Sequence, residues 1–499
     1  MKIQRRKALL FLSLLQLIFS GPAAQNISSY FEKIRNNEAA LTAFISQMPK
    51  GGDLHNHYSG SIYAESYVNW LIEADYCINP QTLETVQPSA NGECPSAPFT
   101  KFSTLKFSMK PAAFEIFKST LIRRWSTKEY DQVHNDAREE HFFSTFGNFS
   151  PAGNINYNRG LRELVTRAKA ENLSYIETMF TTIKLSKAEH QVDLIDNSDT
   201  IKNYNSILEE LEKSKNAAML KPVLKSLYWS IIQTLPVYKT AADFNRFIDS
   251  LHENFVGDDP AFTLRYQAFI TRINDPLTTF INMVVAFEAV KQSSTGNLVG
   301  LNIVAPEDHP VSMQDYWLHM QMFAFCHTVY PSINYALHAG ELTGGVVQPE
   351  ELTWHISSAV YDAGAKRIGH GVDIAYEKNN YNLLRYMSVH HIPVEINLSS
   401  NEFILGVKDD RHPVLLYKHF NVPIVISTDD AGVSRTSLTE QYVLLARRYK
   451  EISYTDIKKF VYNGIVYSFI KDPVLKNKLI KDLDARFIAF EKYVLLNRR

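Results

Sequence analysis

The chain has 499 residues, 45% of them hydrophobic and 21% charged, a balance that excludes a disordered or fibrous protein and leaves room for a large core. Lys plus Arg number 52 against 53 Asp plus Glu, so no net field draws the chain to nucleic acid or to an anionic membrane, and a small or neutral partner is favoured. Past the N-terminus no run of about 18 uncharged apolar residues would span a bilayer, so stable membrane insertion is not expected.

The first residues, MKIQRRKALLFLSLLQLIFSGPAAQ, join a basic head to an apolar run from Ala8 to Phe19 and then to small residues. This pattern predicts a cleaved signal peptide over residues 1–24 and a secreted or periplasmic mature chain. Export permits disulfides. Cys77 and Cys94 flank a short polar stretch containing Pro and Gly and are predicted to be bridged, whereas Cys326, in MQMFAFCHTVY, reads as a buried free thiol. Residues 25–50 form a helical extension. Tyr30, Ile34, Leu41, Phe44 and Ile45 recur at helical spacing and predict one amphipathic helix from Ile27 to Met48, placed to cap the domain or to join two copies in a homodimer.

From there a short apolar run alternates with a longer helical segment. The runs read as strands are Gly52 to His57, Leu173 to Phe180, Val223 to Ile232, Leu298 to Val304, Ile333 to His338, Arg367 to His370, Pro393 to Leu398 and Pro423 to Ser427. Eight such strands, several continuously apolar and separated by helices such as Pro276 to Lys291 and Leu352 to Ala363, predict an α/β fold: a (β/α)8 TIM barrel over residues 51–490. No Gly-x-Gly-x-x-Gly turn follows an early strand, which argues against an open doubly wound sheet. The spacing between the first two strands far exceeds a simple βαβ unit, so an inserted subdomain is expected at about residues 76–151.

Chemistry-bearing side chains gather at the ends of these runs. The first ends in DLHNH, with His55 and His57 at the i, i+2 spacing that points both imidazoles to one face of a strand. The fifth ends in His338 with Glu341 just beyond, the sixth in His370 between two glycines, and the eighth is followed by Asp429 and Asp430. Singly these groups read as surface histidines, a helix-end carboxylate and a capping pair. In a barrel, however, the C-terminal strand ends surround one mouth. There His55, His57, His338 and Asp429 would give one metal ion three nitrogens and a carboxylate and leave a position for water. Zinc is the favoured ion, one Zn2+ per chain, with iron, manganese or cobalt as lesser fits. Glu341, His370 and Asp430 remain for acid–base and binding work.

MPKGGDLHNH, VGLNIVAPED, HAGE, RIGHG, INLSSNEFIL and STDD, in that order from Met48 to Asp430, resemble the adenosine deaminase family of metal-dependent hydrolases. The leader, the helical extension and the long insertion are most similar to its extracellular branch, the adenosine-deaminase-related growth factors and their bacterial relatives. The resemblance implies hydrolytic removal of the 6-amino group of adenosine, and of 2′-deoxyadenosine as a further substrate, giving inosine and ammonia. It implies that Glu341 protonates ring nitrogen N1, that His370 orients the attacking water and assists its deprotonation, that Asp430 holds N7, and that the backbone of Gly300 contacts the ring.

Three positions depart from the family pattern. Ser59 stands where an aspartate often follows His-x-His, Asn302 replaces an acidic residue after the fourth strand, and Ala431 follows the aspartate pair in place of proline. The first bears on how the sugar is held, so another purine or an adenine nucleotide is the alternative substrate. An extracellular growth-factor-like binding protein is the alternative outside catalysis. The Pro-Cys-x-x-Cys signature of the zinc deaminases acting on nucleic-acid bases is absent.

Overall fold

The computed structural model describes residues 22–131, 137–153, 155–185, 198–257 and 259–497. Apart from its last three residues, the segment read as a signal peptide lies outside the described residues.

Eight parallel strands form the centre: β1 Lys50–His57, β2 Leu173–Thr181, β3 Thr263–Thr271, β4 Leu298–Val304, β5 Ala336–Ala339, β6 Arg367–His370, β7 Val394–Ile396 and β8 Ile424–Ile426. They pair as two four-stranded sheets, β1-β2-β3-β4 and β5-β6-β7-β8. Two parallel bridges join these sheets into a ring, Leu301 with Tyr335 and Asn56 with Asp429. At the second, His57 N–H donates to Asp429 O at 3.1 Å and Asp429 N–H to His55 O at 2.8 Å. The seam therefore fixes three of the candidate metal ligands against one another. Strands enclosed on both faces should be apolar throughout, and all seven residues of β4 are buried.

The third strand corrects the sequence reading. Val223–Ile232 is helical, within Ala217–Thr234, and buries Leu220, Leu224, Leu227, Tyr228 and Ile231, a spacing of three and four residues. The strand that occupies the place is β3, in which Leu264, Tyr266, Ala268 and Ile270 alternate with flanking residues and are all buried. Its polar Arg265 and Gln267 mask the apolar run.

The N-terminal extension is likewise two helices rather than one, Pro22–Ile34 and Glu38–Gln47. The break falls at Asn37, whose side chain accepts from Ala40 N–H and caps the second helix. Phe31 and Phe44 pack with Tyr454, and Phe44 with Phe490, while Arg35 donates to the carbonyls of Ala446, Tyr449 and Ile452. The extension thus packs on C-terminal segments of its own chain.

Between β1 and β2, two-residue strands Cys77–Ile78, Thr85–Val86 and Thr100–Lys101 form a small antiparallel sheet. Cys77 and Cys94 are disulfide-bonded, and Cys326 is a buried thiol. Helices Phe102–Ser108, Pro111–Arg124 and Arg138–Gly153 follow. Among the described residues no helix is long and apolar enough to cross a membrane.

Candidate active site

The C-terminal ends of the strands converge as the sequence requires. His55 and His57 project together from the end of β1, while Asn56 turns away to donate to Ser61 Oγ at 2.9 Å and to accept from Thr178 Oγ1 at 2.9 Å. Two of the groups sit in the left-handed backbone region that L-residues avoid, His370 at φ 66° and Asp429 at φ 61°. Such strain costs of order 1–3 kcal/mol per residue and is retained where a side chain must be aimed. Close approach is obtained through two bare positions. A Cβ on Gly369 would lie 2.8 Å from His55 Cε1, and one on Gly60 would lie 1.6 Å from Asp430 Oδ1.

The imidazoles face inward with their lone pairs. His55 Nδ1 lies 2.8 Å from Glu395 Oε2, and His338 Nδ1 lies 3.0 Å from Asn302 Oδ1. Both outer partners are acceptors, so the outer nitrogens carry the protons and the Nε2 atoms are left as ligands. His57 Nε2 and His338 Nε2 are 3.2 Å apart, Asp429 Oδ1 is 3.5 Å from His55 Nε2 and 3.3 Å from His57 Nε2, and His55 Nε2 is buried without a hydrogen-bond partner. Converging unshared lone pairs beside a carboxylate repel one another unless a cation lies among them, and three nitrogens with one oxygen suit a divalent transition metal. The residues present therefore fit the metal that the sequence suggests.

Burial governs the charges. It pushes His57 down to about 4 and His338 well below the usual histidine range, so both rings are neutral ligands. Burial also opposes charge on Asp429, but its contact with His55 outweighs it and holds the carboxylate ionised; burial lowers His55 too, but Asp429 and Glu395 raise it to about 10, and a bound cation would take the place of its Nε2 proton. Glu341 behaves oppositely: burial, then the charges of Asp429 and Glu307, raise its pKa well above the carboxylate range. Asp430 is raised by burial and by Asp429. One carboxylate is thus held ionised between two carboxyls whose pKa values are raised.

A cavity of about 450 Å3 opens beside these groups, lined by His57, His338, Glu341, His370, Asp429 and Asp430 at its polar end. Phe142, Phe143 and Phe146 of helix Arg138–Gly153 wall it, with Phe269, Val304, Pro306 and Ile404. Glu341 stands on a pinned loop, since Glu307 accepts from Gly340 N–H at 3.0 Å and Glu341 N–H at 2.9 Å and lies 2.7 Å from His355 Nδ1.

Gly300 does not take the place expected of it. It lies early in β4, where a Cβ would lie 2.5 Å from Phe469 Cδ2 and 3.0 Å from Asn334 O, and it is not among the cavity-lining residues. The backbone that reaches the cavity from this strand is at Ala305, which has φ 91°. The short strand's end, rather than its glycine, marks the mouth. Glu395, Glu307 and the phenylalanine wall also escaped the sequence reading, because an isolated acidic residue in an apolar run and an aromatic stripe in an insertion carry no motif.

The ring of parallel strands defines a (β/α)8 barrel, and the buried His–Asp cluster lies at its C-terminal mouth, the face at which such barrels carry their sites. Residues 178–486 match the family model described as adenosine deaminase. A curated adenosine deaminase of Clostridium kluyveri is 31% identical over 149 residues, 30% of this chain and 40% of that enzyme. The fold is similar to that of the N6-methyl-AMP deaminase of Arabidopsis thaliana, with a TM-score of 0.55 and 17% identity over 89% of this chain and 98% of that one. It is also similar to the adenine deaminase of Arthrobacter aurescens, with a TM-score of 0.51 and 13% identity over 88% and 98% of the two chains. The chain belongs to the adenosine deaminase family.

Proposed function

We propose that the protein is an exported, zinc-dependent adenosine deaminase that converts adenosine to inosine and ammonia. The observation that carries this reading is the placement of a buried Glu341, its pKa raised by burial and by Asp429, beside a largely apolar cavity of nucleoside size next to the imidazole cluster. His55, His57, His338 and Asp429 would hold the cation, which when bound supplies Lewis acidity that brings the pKa of water toward neutrality. Glu341 gives its proton to N1 as C6 becomes tetrahedral. His370 presents Nε2 to the attacking water and guides its approach, and Asp430 holds N7 by a hydrogen bond from its carboxyl; of the water's two protons, one goes to the amino group, which leaves C6 as ammonia, and the other restores Glu341. The phenylalanine wall excludes bulk water from the purine.

The choice of a nucleoside over a nucleotide rests on charge. Among the described residues no Lys or Arg lines the cavity, and the one basic group there besides His57, His338 and His370 is the imidazole of His309, occupied as a helix cap by accepting from Val311 N–H. Among these residues a 5′-phosphate would meet no fork of donors and would have carboxyl groups nearby. Export is supported by the leader-like start and by the Cys77–Cys94 bridge.

The test is turnover by the purified, zinc-loaded protein, followed by ultraviolet absorbance on adenosine, 2′-deoxyadenosine, AMP, N6-methyl-AMP and adenine. Adenosine is expected to have the highest kcat/KM. Turnover of AMP matching that of adenosine would remove the nucleoside reading, and no turnover of any purine by metal-loaded protein would remove the deaminase reading.

A further inference from the structure

Behind the site, a chain of buried groups leads from a backbone amide to the ring of His370. Val414 N–H donates to His412 Nδ1 at 3.2 Å, His412 Nε2 lies 3.1 Å from Asn401 Oδ1, and Asn401 Nδ2 lies 3.0 Å from His370 Nδ1. His370, Asn401 and His412 are 1%, 0% and 3% exposed, so bulk water does not compete for these groups. Neither Asn401 nor His412 lines the cavity.

The order of donors and acceptors is forced from one end. A backbone N–H can only donate, so His412 Nδ1 must be an acceptor. Burial, and Arg448 beside it, push His412 down to about 3, so the ring is neutral and its one proton sits on Nε2. That proton needs an oxygen, which turns the carbonyl of Asn401 toward His412 and its amide nitrogen toward His370. An amide nitrogen can only donate, so His370 Nδ1 must offer its lone pair. Asn397 Nδ2, 3.5 Å from the same atom, adds a donor of the same sense.

The proton of neutral His370 is therefore on Nε2. That nitrogen is buried, has no hydrogen-bond partner among the described residues and lies 3.9 Å from Asp429 Oδ2. The other groups around the ring do not reverse this order. Glu341 Oε1 is 3.4 Å from Nδ1 without making a hydrogen bond, and the rings of His55 and His338 stand at centroid distances of 4.8 and 5.2 Å.

We infer that His412 and Asn401 are positioning residues for His370, setting which of its ring nitrogens carries the proton and so directing an Nε2–H at the reacting water, which the ring then orients as a donor and, contrary to what the family resemblance implies, does not deprotonate. The inference rests on the role proposed for His370, but its structural half is separately measurable. Asn401→Asp replaces the donor by an acceptor and draws the His370 proton to Nδ1. His412→Glu offers Asn401 only acceptors and turns the amide over, with the same result, whereas His412→Gln retains a donor toward Asn401.

Ring-15N-labelled, zinc-loaded protein distinguishes the two tautomers by long-range 1H–15N correlation, with the His370 signals identified by their loss in His370→Asn. The Nε2–H form is expected in the wild type and in His412→Gln, and the Nδ1–H form in Asn401→Asp and His412→Glu. With adenosine, the two reversed variants should lose on the order of 10²- to 10⁴-fold in kcat, the scale of a catalytic histidine held in the wrong tautomer. Their KM and zinc content should stay within about threefold, and His412→Gln should keep kcat within about tenfold. An Nδ1–H wild type, or an unchanged tautomer in Asn401→Asp, would overturn the inference whatever the substrate proves to be. A reversed tautomer with unimpaired kcat would overturn its catalytic half. Should His412→Glu not fold, Asn401→Asp and His412→Gln decide the matter.

Discussion

Glu395 holds His55 with one carboxylate oxygen, 2.8 Å from Nδ1, and Arg367 Nε with the other. Arg367 reaches on to Glu177 Oε1 at 2.6 Å, and Glu177 is further held by Tyr175 Oη, Gln267 Nε2 and Phe469 N–H. A chain of buried charges through the barrel interior thus ends on a candidate metal ligand. Removing the carboxylate charge with Glu395→Gln loosens the tautomer and angle of His55, and such outer partners are typically worth 10- to 100-fold in metal affinity. The expected result is a zinc dissociation constant raised by about that factor in competition with a chromogenic chelator. The lost ion pair with Arg367 should also lower stability by about 3–5 kcal/mol. Wild-type zinc affinity in a folded variant would show that the contact does not support the site.

Glu341 is the acid in the proposed reaction, its pKa raised by burial and by the neighbouring charges of Asp429 and Glu307. Glu341→Gln preserves the shape and removes the transferable proton. Turnover of adenosine should fall on the order of 10²- to 10⁴-fold while zinc content is retained, because the side chain is not one of the four proposed ligands. Near-normal turnover from the metal-loaded variant would exclude it as the acid.

The site was more legible in the sequence than the strand that completes the barrel. His55, His57, His338, His370, Asp429 and Asp430 stand at strand ends, and a barrel brings those ends together whatever the intervening sequence does. β3 was concealed because Arg265 and Gln267 interrupt its apolar alternation, while the β-branched pair Ile231 and Ile232 made a helix resemble a strand. The roles of Glu395, Asn401 and His412 arise only from pairings between distant segments, which local periodicity cannot express. Gly300 misled for a related reason: glycine marks close backbone approach, but here the approaching group is Phe469 rather than a ligand.

Glu139, at the start of the helix that carries the phenylalanine wall, meets Asp308, next to His309 on the cavity rim. Burial, then the contact with Asp308, push its pKa up to about 8 from an ordinary value of 4.5. Between those limits the folded protein keeps a proton that the unfolded chain releases, so the stability associated with this group is full below the lower value and declines as pH rises toward the upper one. Glu139→Gln keeps a donor for Asp308 and never ionises. The melting temperature of the variant relative to the wild type should therefore be smallest near pH 4.5 and increase steadily up to about pH 8. A difference independent of pH would show that the contact with Asp308 does not govern Glu139. The side chain is only half-buried, so solvent screening reduces the size of the effect but not its sign.

Gly60 and Asp430 offer a test of whether the turn after β1 exists to admit the second aspartate. Gly60 has no backbone conformation that requires glycine, and its carbonyl accepts from Gly432 N–H and Val433 N–H, each at 2.9 Å. The constraint is steric, since an added methyl would lie 1.6 Å from Asp430 Oδ1 and 2.7 Å from its Cβ. Gly60→Ala must therefore displace the Asp430 carboxyl, whose Oδ1 is buried without a partner beside the cavity. Overpacking of this kind costs about 1–3 kcal/mol in stability, while His55 and His57, on the preceding strand, should still retain zinc. Loss of the N7 contact should appear mainly in kcat/KM for adenosine. Asp430→Gly removes the same contact and also the atoms that the new methyl would strike. The two changes should then be strongly non-additive, with Gly60→Ala having little further effect on stability or kcat/KM in the Asp430→Gly background. Independent, additive losses would mean that Gly60 serves the turn itself and that the placement of Asp430 does not depend on it.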